Sequence, residues 1–215
     1  MTVETNPRVA LVAAARASVQ MGLNSGTAGN FSLRHGAGMA ITPTGILPAV
    51  MTEEQIVLMT FDGIWQGAWV PSSEWEIHAR IYAARPDVGA VVHAHPDHCV
   101  AMSCLRQPIP PFHYMVAGFG GNEVPCAPYA CFGSPELAEA VAATLGTAFH
   151  ACLMANHGMV VTGPDLDTAL VRSGKLETLA RQFLLAQAMG TPVLLEPSEM
   201  DAVHNQYRAY GRQPR

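Results

Sequence analysis

Three histidines in this chain stand where their type and spacing could bind a metal. In AVVHAHPDH, residues 90–98, His93 and His95 lie two apart at the end of an apolar run. Side chains at i and i+2 of a strand point to the same face, so both imidazoles could reach one ion. In LMANHGMVV, His157 sits inside Asn-His-Gly between two apolar runs. A bulky polar residue there is better explained as a ligand than as a core residue. Three imidazoles with an open coordination position suit Zn2+ or another divalent transition metal. His98 lies beyond Pro96 and off the strand face, and His35, His78, His113, His150 and His204 have no ligand spacing. The H-x-H pair alone is equally compatible with two polar residues where a strand surfaces. Cupin-type barrels also use such a pair, followed within a few residues by Glu. Here Pro96, Asp97 and His98 follow His95, which weakens that plan and leaves a non-catalytic metal module as an alternative.

A second chemistry comes from three turns: GTAGN (26–30), TPTG (42–45) and PSSE (71–74). Each combines hydroxyls, small residues and backbone N–H groups, and each alone is an ordinary turn or cap. PSSE stands at an expected helix start, where unpaired N–H groups and the helix dipole favour an anion. Together, beside a metal site, the three turns suggest a phosphate held by neutral donors. A sugar-phosphate lyase works either through a lysine Schiff base or through a metal ion. The chain has a single lysine, Lys175, in VRSGKLETLARQF. That segment reads as an amphipathic helix whose charges face water, whereas a catalytic lysine is normally buried to lower its pKa. The metal route is favoured.

The elements that must position these residues are legible in outline. Residues 8–21 are Ala-rich and end before Gly22, a helix with its C-cap. SGTAGNFSLR is a turn running into a strand, GMAITPTGI a strand ending in a turn at 43–45, and GIWQGAW a further strand. PSSEWEIHARIYAARPD predicts a helix of about three turns, with Ser73 and Glu76 as a capping box. VGAVVHAH is a strand stopped by Pro96, and PDHCVAMSCL and PELAEAVAATLG are helices. ACLMANHGMVVTG is a strand pair or bent strand, and DLDTALVRSGKLETLARQFLLAQAMG is the longest helix. This loose alternation without a run of βαβ units predicts an α/β layered domain with a mainly antiparallel or mixed sheet.

Composition bounds the alternatives. A chain of 215 residues, 49% hydrophobic, can form one domain with a real core. A net charge of −5 without a basic cluster argues against nucleic acid. The opening MTVETNPRV has neither the basic nor the apolar region of a signal peptide. No uninterrupted apolar stretch reaches the length of about 18 residues that a membrane span requires. Cys99, Cys104, Cys126, Cys131 and Cys152 are odd in number and form no CxxC pair, which reads as free, mostly buried thiols in a reducing cytoplasm.

Taken together, GLNSGTAGNFSLR, ITPTGI, PSSEWEIH, RPDVGAVVHAHPDHC, IPPFHYMVAGFGGNEVPCAPYACFG and NHG resemble the class II aldolase/epimerase family nearly end to end. The likeness is to its fuculose-phosphate aldolase branch. The epimerase branch carries Asp where Glu74 stands, and a further Asp in the segment matching PFHYMVAGFGG, which has none here. The resemblance implies a single domain over residues 1–215, with a nine-stranded, mostly antiparallel sheet flanked by helices. It implies a homotetramer with sites at subunit interfaces. By the same likeness, His93, His95, His157 and Glu74 hold Zn2+, with Glu74 also the acid/base. Thr27, Asn30, Thr44, Gly45, Ser72 and Ser73 hold the phosphate. Tyr114 (from a neighbouring subunit) and Tyr210 serve the aldehyde end. The implied reaction is retro-aldol cleavage of a ketose 1-phosphate to dihydroxyacetone phosphate and a short aldehyde. Methylthioribulose-1-phosphate dehydration and pentulose-phosphate 4-epimerisation are the alternatives within the family.

Overall fold

The computed structural model describes residues 6–208. In chain order the helices are α1 (Pro7–Gln20), α2 (Trp75–Ala84), α3 (Asp97–Cys104), α4 (Pro135–Leu145), α5 (Leu166–Met189) and α6 (Pro197–Tyr207). The strands are β1 (Asn30–His35), β2 (Gly38–Ile41), β3 (Val57–Thr60), β4 (Ala90–Ala94), β5 (Cys126–Ala127), β6 (Ala151–Met154) and β7 (Gly158–Gly163). They form one 7-stranded sheet in the order β3-β2-β1-β4-β7-β6-β5. Every neighbouring pair is antiparallel except β5 with β6. This is the expected mostly antiparallel α/β sheet, but with seven strands rather than nine. Among the described residues, the remaining strand-like contacts are isolated bridges, Pro43 with Pro71, Met59 with Trp65 and Ile109 with Val124.

The sheet is covered on both faces, which is why β4 reads as a continuous apolar run rather than an alternating one. Leu11, Phe31, Val92, Leu153, Val161 and Leu176 pack in one core with α1, α3 and α5. Met39, Ile41, Ile77, Val91, Leu137 and Val160 pack in the other with α2 and α4. Successive residues of β4 therefore serve opposite cores. His93 has the parity of Val91 and faces the side where α2 begins.

Two local expectations fail for identifiable reasons. GIWQGAW forms no strand, although its aromatic content favours one. Gly63 and Gly67 have φ of +87° and +115°, and Thr60 N–H donates to Ile64 O at 2.9 Å, closing a tight turn. Trp65 and Trp69 stay partly exposed. The strand at this edge is instead β3, in the segment just before. The Ser73–Glu76 capping box is also absent: α2 begins at Trp75 with Glu74 at the N-cap and no side-chain cap. Ser72 N–H is already tied to Thr42 O (3.1 Å), and the Glu74 carboxylate turns inward to other partners.

The far end of α2 is held by Arg34 on β1. Its guanidinium donates to the carbonyls of Tyr82, Arg85 and Val88, each at 2.9 Å, and lies 4.8 Å above the Tyr82 ring. The Tyr82 carbonyl is among those a helix C-terminus leaves without an intrahelical partner, and Arg85 and Val88 lie in the turn that follows. Arg34→Ala is expected to lower the unfolding free energy by about 2–4 kcal/mol, the scale of losing charge-assisted bonds and leaving half-buried carbonyls unpaired. Arg34→Lys should recover only part of that, because one ammonium cannot serve three carbonyls in a plane. Urea unfolding at fixed protein concentration measures both.

The thiols also differ from expectation. All five cysteines are free, but Cys99 and Cys152 are buried, Cys126 is half-buried, and Cys104 and Cys131 are exposed. The last two lie at the end of α3 and in a loop, where packing does not reach. Among the described residues, no helix is long and apolar enough to cross a membrane.

Candidate active site and metal centre

Four side chains from three parts of the fold meet at one end of the sheet. His93 is in β4, His95 one residue past it, His157 in the tight turn between β6 and β7, and Glu74 at the start of α2. Their ligand atoms all lie within 4.8 Å of one another. The three imidazole rings are mutually inclined, with centroids 4.6 to 4.9 Å apart. His95 Nε2 is 2.7 Å from His93 Nε2. Glu74 Oε2 is 3.0 Å from His93 Nε2, and Glu74 Oε1 is 3.3 Å from His157 Nε2.

The donor set fits a divalent cation on its own chemistry. His93 Nδ1 faces Met159 O at 2.9 Å, so Nδ1 donates and a neutral His93 turns its Nε2 lone pair toward the cluster. Glu74 Oε1 is buried without a hydrogen-bond partner. Imidazole lone pairs and an unpaired carboxylate oxygen converging on one point are satisfied together by a cation. Electrostatics agree. Burial, with the neighbouring histidine charges, depresses His95 to about 3 and His157 to about 4, keeping both neutral. Burial pushes His93 down as well, but the Glu74 charge beside it outweighs that and raises it. Burial pushes Glu74 up, and His93, His157 and Asn30 together hold it far below the ordinary carboxylate range. The Glu74 charge thus favours positive charge at the point where a cation would sit.

Backbone supports fix the ligands, and sequence spacing did not reveal them. Asn24 Oδ1 accepts His95 N–H at 3.0 Å. A Cβ on Gly29, at φ +78°, would come within 2.4 Å of that same Asn24 side chain, so glycine is required there. Ser103 Oγ accepts His157 N–H at 3.2 Å. A Cβ on Gly158 would stand 2.6 Å from Ala94 O and 2.8 Å from the His95 ring, so the turn after His157 can approach β4 only as glycine. His78, which lacks ligand spacing, is fully buried beside the site and bonded to Asn30. His98 is bound to Glu177 (2.5 Å), away from the cluster.

The three hydroxyl-rich turns come to this same end. Asn30 opens β1 in register with His93, TPTG leaves β2, and the bridge between Pro43 and Pro71 ties it to PSSE. Thr27, Thr44, Gly45 and Ser73 are exposed, while Ser72 and Asn30 are buried. The backbone N–H groups are less free than expected: Thr44 donates to Val70 O and Ser72 to Thr42 O. Asn30 is occupied too, its Nδ2 donating to Glu74 Oε2 at 3.1 Å. A cavity of about 290 Å³ adjoins the metal cluster, lined by Glu74, His95, His157, Tyr129, Phe132 and Asn156 among others. Tyr114 is not brought there. It is exposed and lines a separate cavity with Met115, Lys175 and Tyr207. Tyr210 lies outside the described residues.

Residues 9–184 match the family model described as Class II Aldolase and Adducin N-terminal domain. The chain belongs to the class II aldolase family. It is 44% identical over 205 residues, 95% of this chain and 92% of the relative, to a 5-methylthioribulose-1-phosphate/5-deoxyribulose-1-phosphate aldolase from Rhodospirillum rubrum. It is 45% identical over 193 residues, 89% of each chain, to an L-fuculose phosphate aldolase from Escherichia coli. A solved structure of an L-fuculose 1-phosphate aldolase superposes with a TM-score of 0.90 at 34% identity, covering 96% of this chain and 98% of that one. In this class II aldolase the candidate metal cluster is the Glu/His₃ group described above.

The depressed histidines make stability depend on acid with a definite sign. His78, at about 3, His95 and His157 stay neutral in the fold, while in the unfolded chain each takes up a proton near the ordinary imidazole value of about 6.5. The unfolded state then binds more protons, so stability is lost as pH falls from about 6.5 toward 3. Glu74, whose pKa is lowered, adds a loss below its ordinary value, and the raised His93 alone acts in the opposite sense. Urea midpoints are expected to fall from pH 7.5 to 6 to 5. A flat profile would contradict the burial of neutral imidazoles.

Proposed function

We propose that the protein is a Zn2+-dependent aldolase that cleaves a ketose 1-phosphate to dihydroxyacetone phosphate and a short aldehyde. The ketose would be fuculose 1-phosphate, 5-deoxyribulose 1-phosphate or 5-methylthioribulose 1-phosphate. The observation that carries this reading is the buried Glu74 carboxylate, one oxygen unbonded, facing three imidazoles at the edge of an open cavity. A divalent ion held by His93, His95, His157 and Glu74 supplies Lewis-acid polarisation of the ketose carbonyl and offsets the negative charge that develops as the bond breaks. Lys175 is exposed on α5, whereas a Schiff-base lysine is normally buried to lower its pKa, which speaks against a Schiff base.

The roles of the chain's own residues follow from position. The hydroxyls of Thr27, Thr44, Ser72 and Ser73, with Gly45, would hold the phosphate. Ser72 Oγ already accepts Glu74 N–H at 3.3 Å, which leaves its own proton to donate. Asn30 joins this set through whatever donor capacity Glu74 leaves it. Glu74 would move the proton at the carbon next to the carbonyl, and its place one residue from Ser73 sets phosphate and carboxylate by a single turn. Tyr114 would handle the proton at the C4 oxygen and Tyr210 the aldehyde end. A homotetramer would let a neighbour supply Tyr114, which is exposed and does not line this chain's own metal cavity. Five unpaired thiols support a cytoplasmic setting. The sheet running unbroken from Asn30 to Gly163 supports one catalytic domain over residues 1–215.

A product assay across the three ketose phosphates tests the reaction: dihydroxyacetone phosphate is expected, whereas a diketone phosphate would indicate a dehydratase and an isomeric pentulose phosphate an epimerase. Glu74→Gln should keep the metal through the three imidazoles and lose about two to four orders of magnitude in rate, the scale of general acid–base catalysis. Solvent exchange of the dihydroxyacetone phosphate proton should fall with it, and wild-type exchange in that variant would rule Glu74 out as the base. Lys175→Arg should turn over at the wild-type rate. Borohydride trapping of the ketose on Lys175 would overturn the metal route.

A further inference from the structure

Behind the metal cluster lies a line of buried polar groups that ligand spacing does not account for. Asn30, Ser32, His78 and Tyr82 are each no more than 4% exposed. Glu74 Oε2 and Asn30 Nδ2 are 3.1 Å apart, Asn30 Oδ1 and His78 Nε2 2.6 Å, His78 Nδ1 and Ser32 Oγ 2.6 Å, and Ser32 Oγ and Tyr82 Oη 2.8 Å.

The chemistry of these groups permits one direction of donation. Glu74 is an ionised carboxylate and only accepts, so Asn30 must turn its amide nitrogen to it. The Asn30 carbonyl oxygen then faces His78 and also only accepts, so His78 carries its proton on Nε2. The neutral imidazole accepts at Nδ1 from the Ser32 hydroxyl, which in turn accepts from Tyr82 O–H. Each bond donates toward Glu74, and bonds aligned in this way polarise one another. A flipped Asn30 amide would set its oxygen against the carboxylate and its nitrogen against an N–H, losing both bonds.

We propose that His78 is a positioning residue: by donating from Nε2 to Asn30 it locks the Asn30 amide as a donor to Glu74 Oε2, and so fixes Oε1 as the carboxylate oxygen presented to the metal and the substrate. Glu74 Oε1 is the buried oxygen with no hydrogen bond, while Oε2 takes Asn30 and lies beside His93. Without the lock, the carboxylate can rotate, and the two oxygens exchange roles.

The inference rests on Glu74 serving the site as proposed above, but its test does not depend on turnover. A glutamine amide nitrogen falls near the position of histidine Nε2, and an asparagine amide near Nδ1. His78→Gln keeps the donor to Asn30 and loses Ser32; His78→Asn does the reverse. Zn2+ titration of the metal-free protein against a chromophoric chelator should give a dissociation constant within about threefold of wild type for His78→Gln. For His78→Asn it should be about 10- to 100-fold weaker, the scale for groups that orient a metal ligand. In turnover, kcat should fall in His78→Asn while KM for the ketose phosphate changes by less than about threefold. Equal losses in the two variants, or wild-type Zn2+ affinity in folded His78→Asn, would overturn the proposal. The wild-type protein supplies a check that needs no variant: 15N spectra of the His78 ring should show Nε2 protonated and Nδ1 bare, and the opposite tautomer refutes the lock. If no ketose phosphate is cleaved, the aldolase reading fails, while Zn2+ affinity and tautomer still decide this one.

Discussion

A carboxylate that is 6% exposed has to be compensated where it lies. Removing such a charge from water costs several kcal/mol after relaxation, and only close partners offset it. Glu74 has them: Asn30 donates to one oxygen, His93 stands beside the same oxygen, and His157 lies near the other. Without these three, burial would drive the side chain to bind a proton. The elements that meet at this end of the sheet are the ones that deliver those partners: β1 brings Asn30, β4 brings His93, the β6–β7 turn brings His157, and α2 brings Glu74 itself.

The strand order makes this convergence geometrically simple. β4 lies between β1 and β7 and is antiparallel to both. The start of β1, the end of β4 and the start of β7 therefore lie at one end of the sheet. Asn30 sits opposite His93 in register, and the Met159 carbonyl sets the His93 ring. Gly158 lets the histidine turn approach β4, and Asn24 and Ser103 hold the backbone of His95 and His157. The three imidazoles are thus held by backbone as much as by side-chain packing. This suits a site that must keep its geometry whether a proton or a cation occupies the common point.

The hydroxyl-rich turns beside the cluster are built differently. They mix exposed residues (Thr27, Thr44, Gly45, Ser73) with buried ones (Asn30, Thr42, Ser72), and beside the Pro43–Pro71 bridge Thr44 N–H donates to Val70 O and Ser72 N–H to Thr42 O. The cavity beside the candidate metal cluster has exposed aromatic walls in Tyr129 and Phe132, and Tyr114 lines a separate cavity. One chain therefore brings the candidate metal cluster and the three hydroxyl-rich turns to the same end of the sheet.

By itself the sequence determined the ligand types, the two-residue spacing of His93 and His95, and the elements with strong local signals. Those features depend on residues close in the chain: strand periodicity, proline and glycine stops, and the N-terminal turns of helices. The likeness of its motifs to a known family added Glu74 to the ligand set. Tertiary structure decided what depends on distant partners. GIWQGAW has strand-like composition, yet its glycines and the tight Thr60–Ile64 turn limit its pairing to the single bridge between Trp65 and Met59. Ser73 and Glu76 have capping-box spacing, yet the tie between Ser72 and Thr42 starts the helix later. His78 has no ligand neighbour in sequence, and only the fold sets it 2.6 Å from Asn30, 48 positions away. A buried polar group takes its role from whatever donor or acceptor the packed chain brings beside it, and local sequence carries no record of that partner.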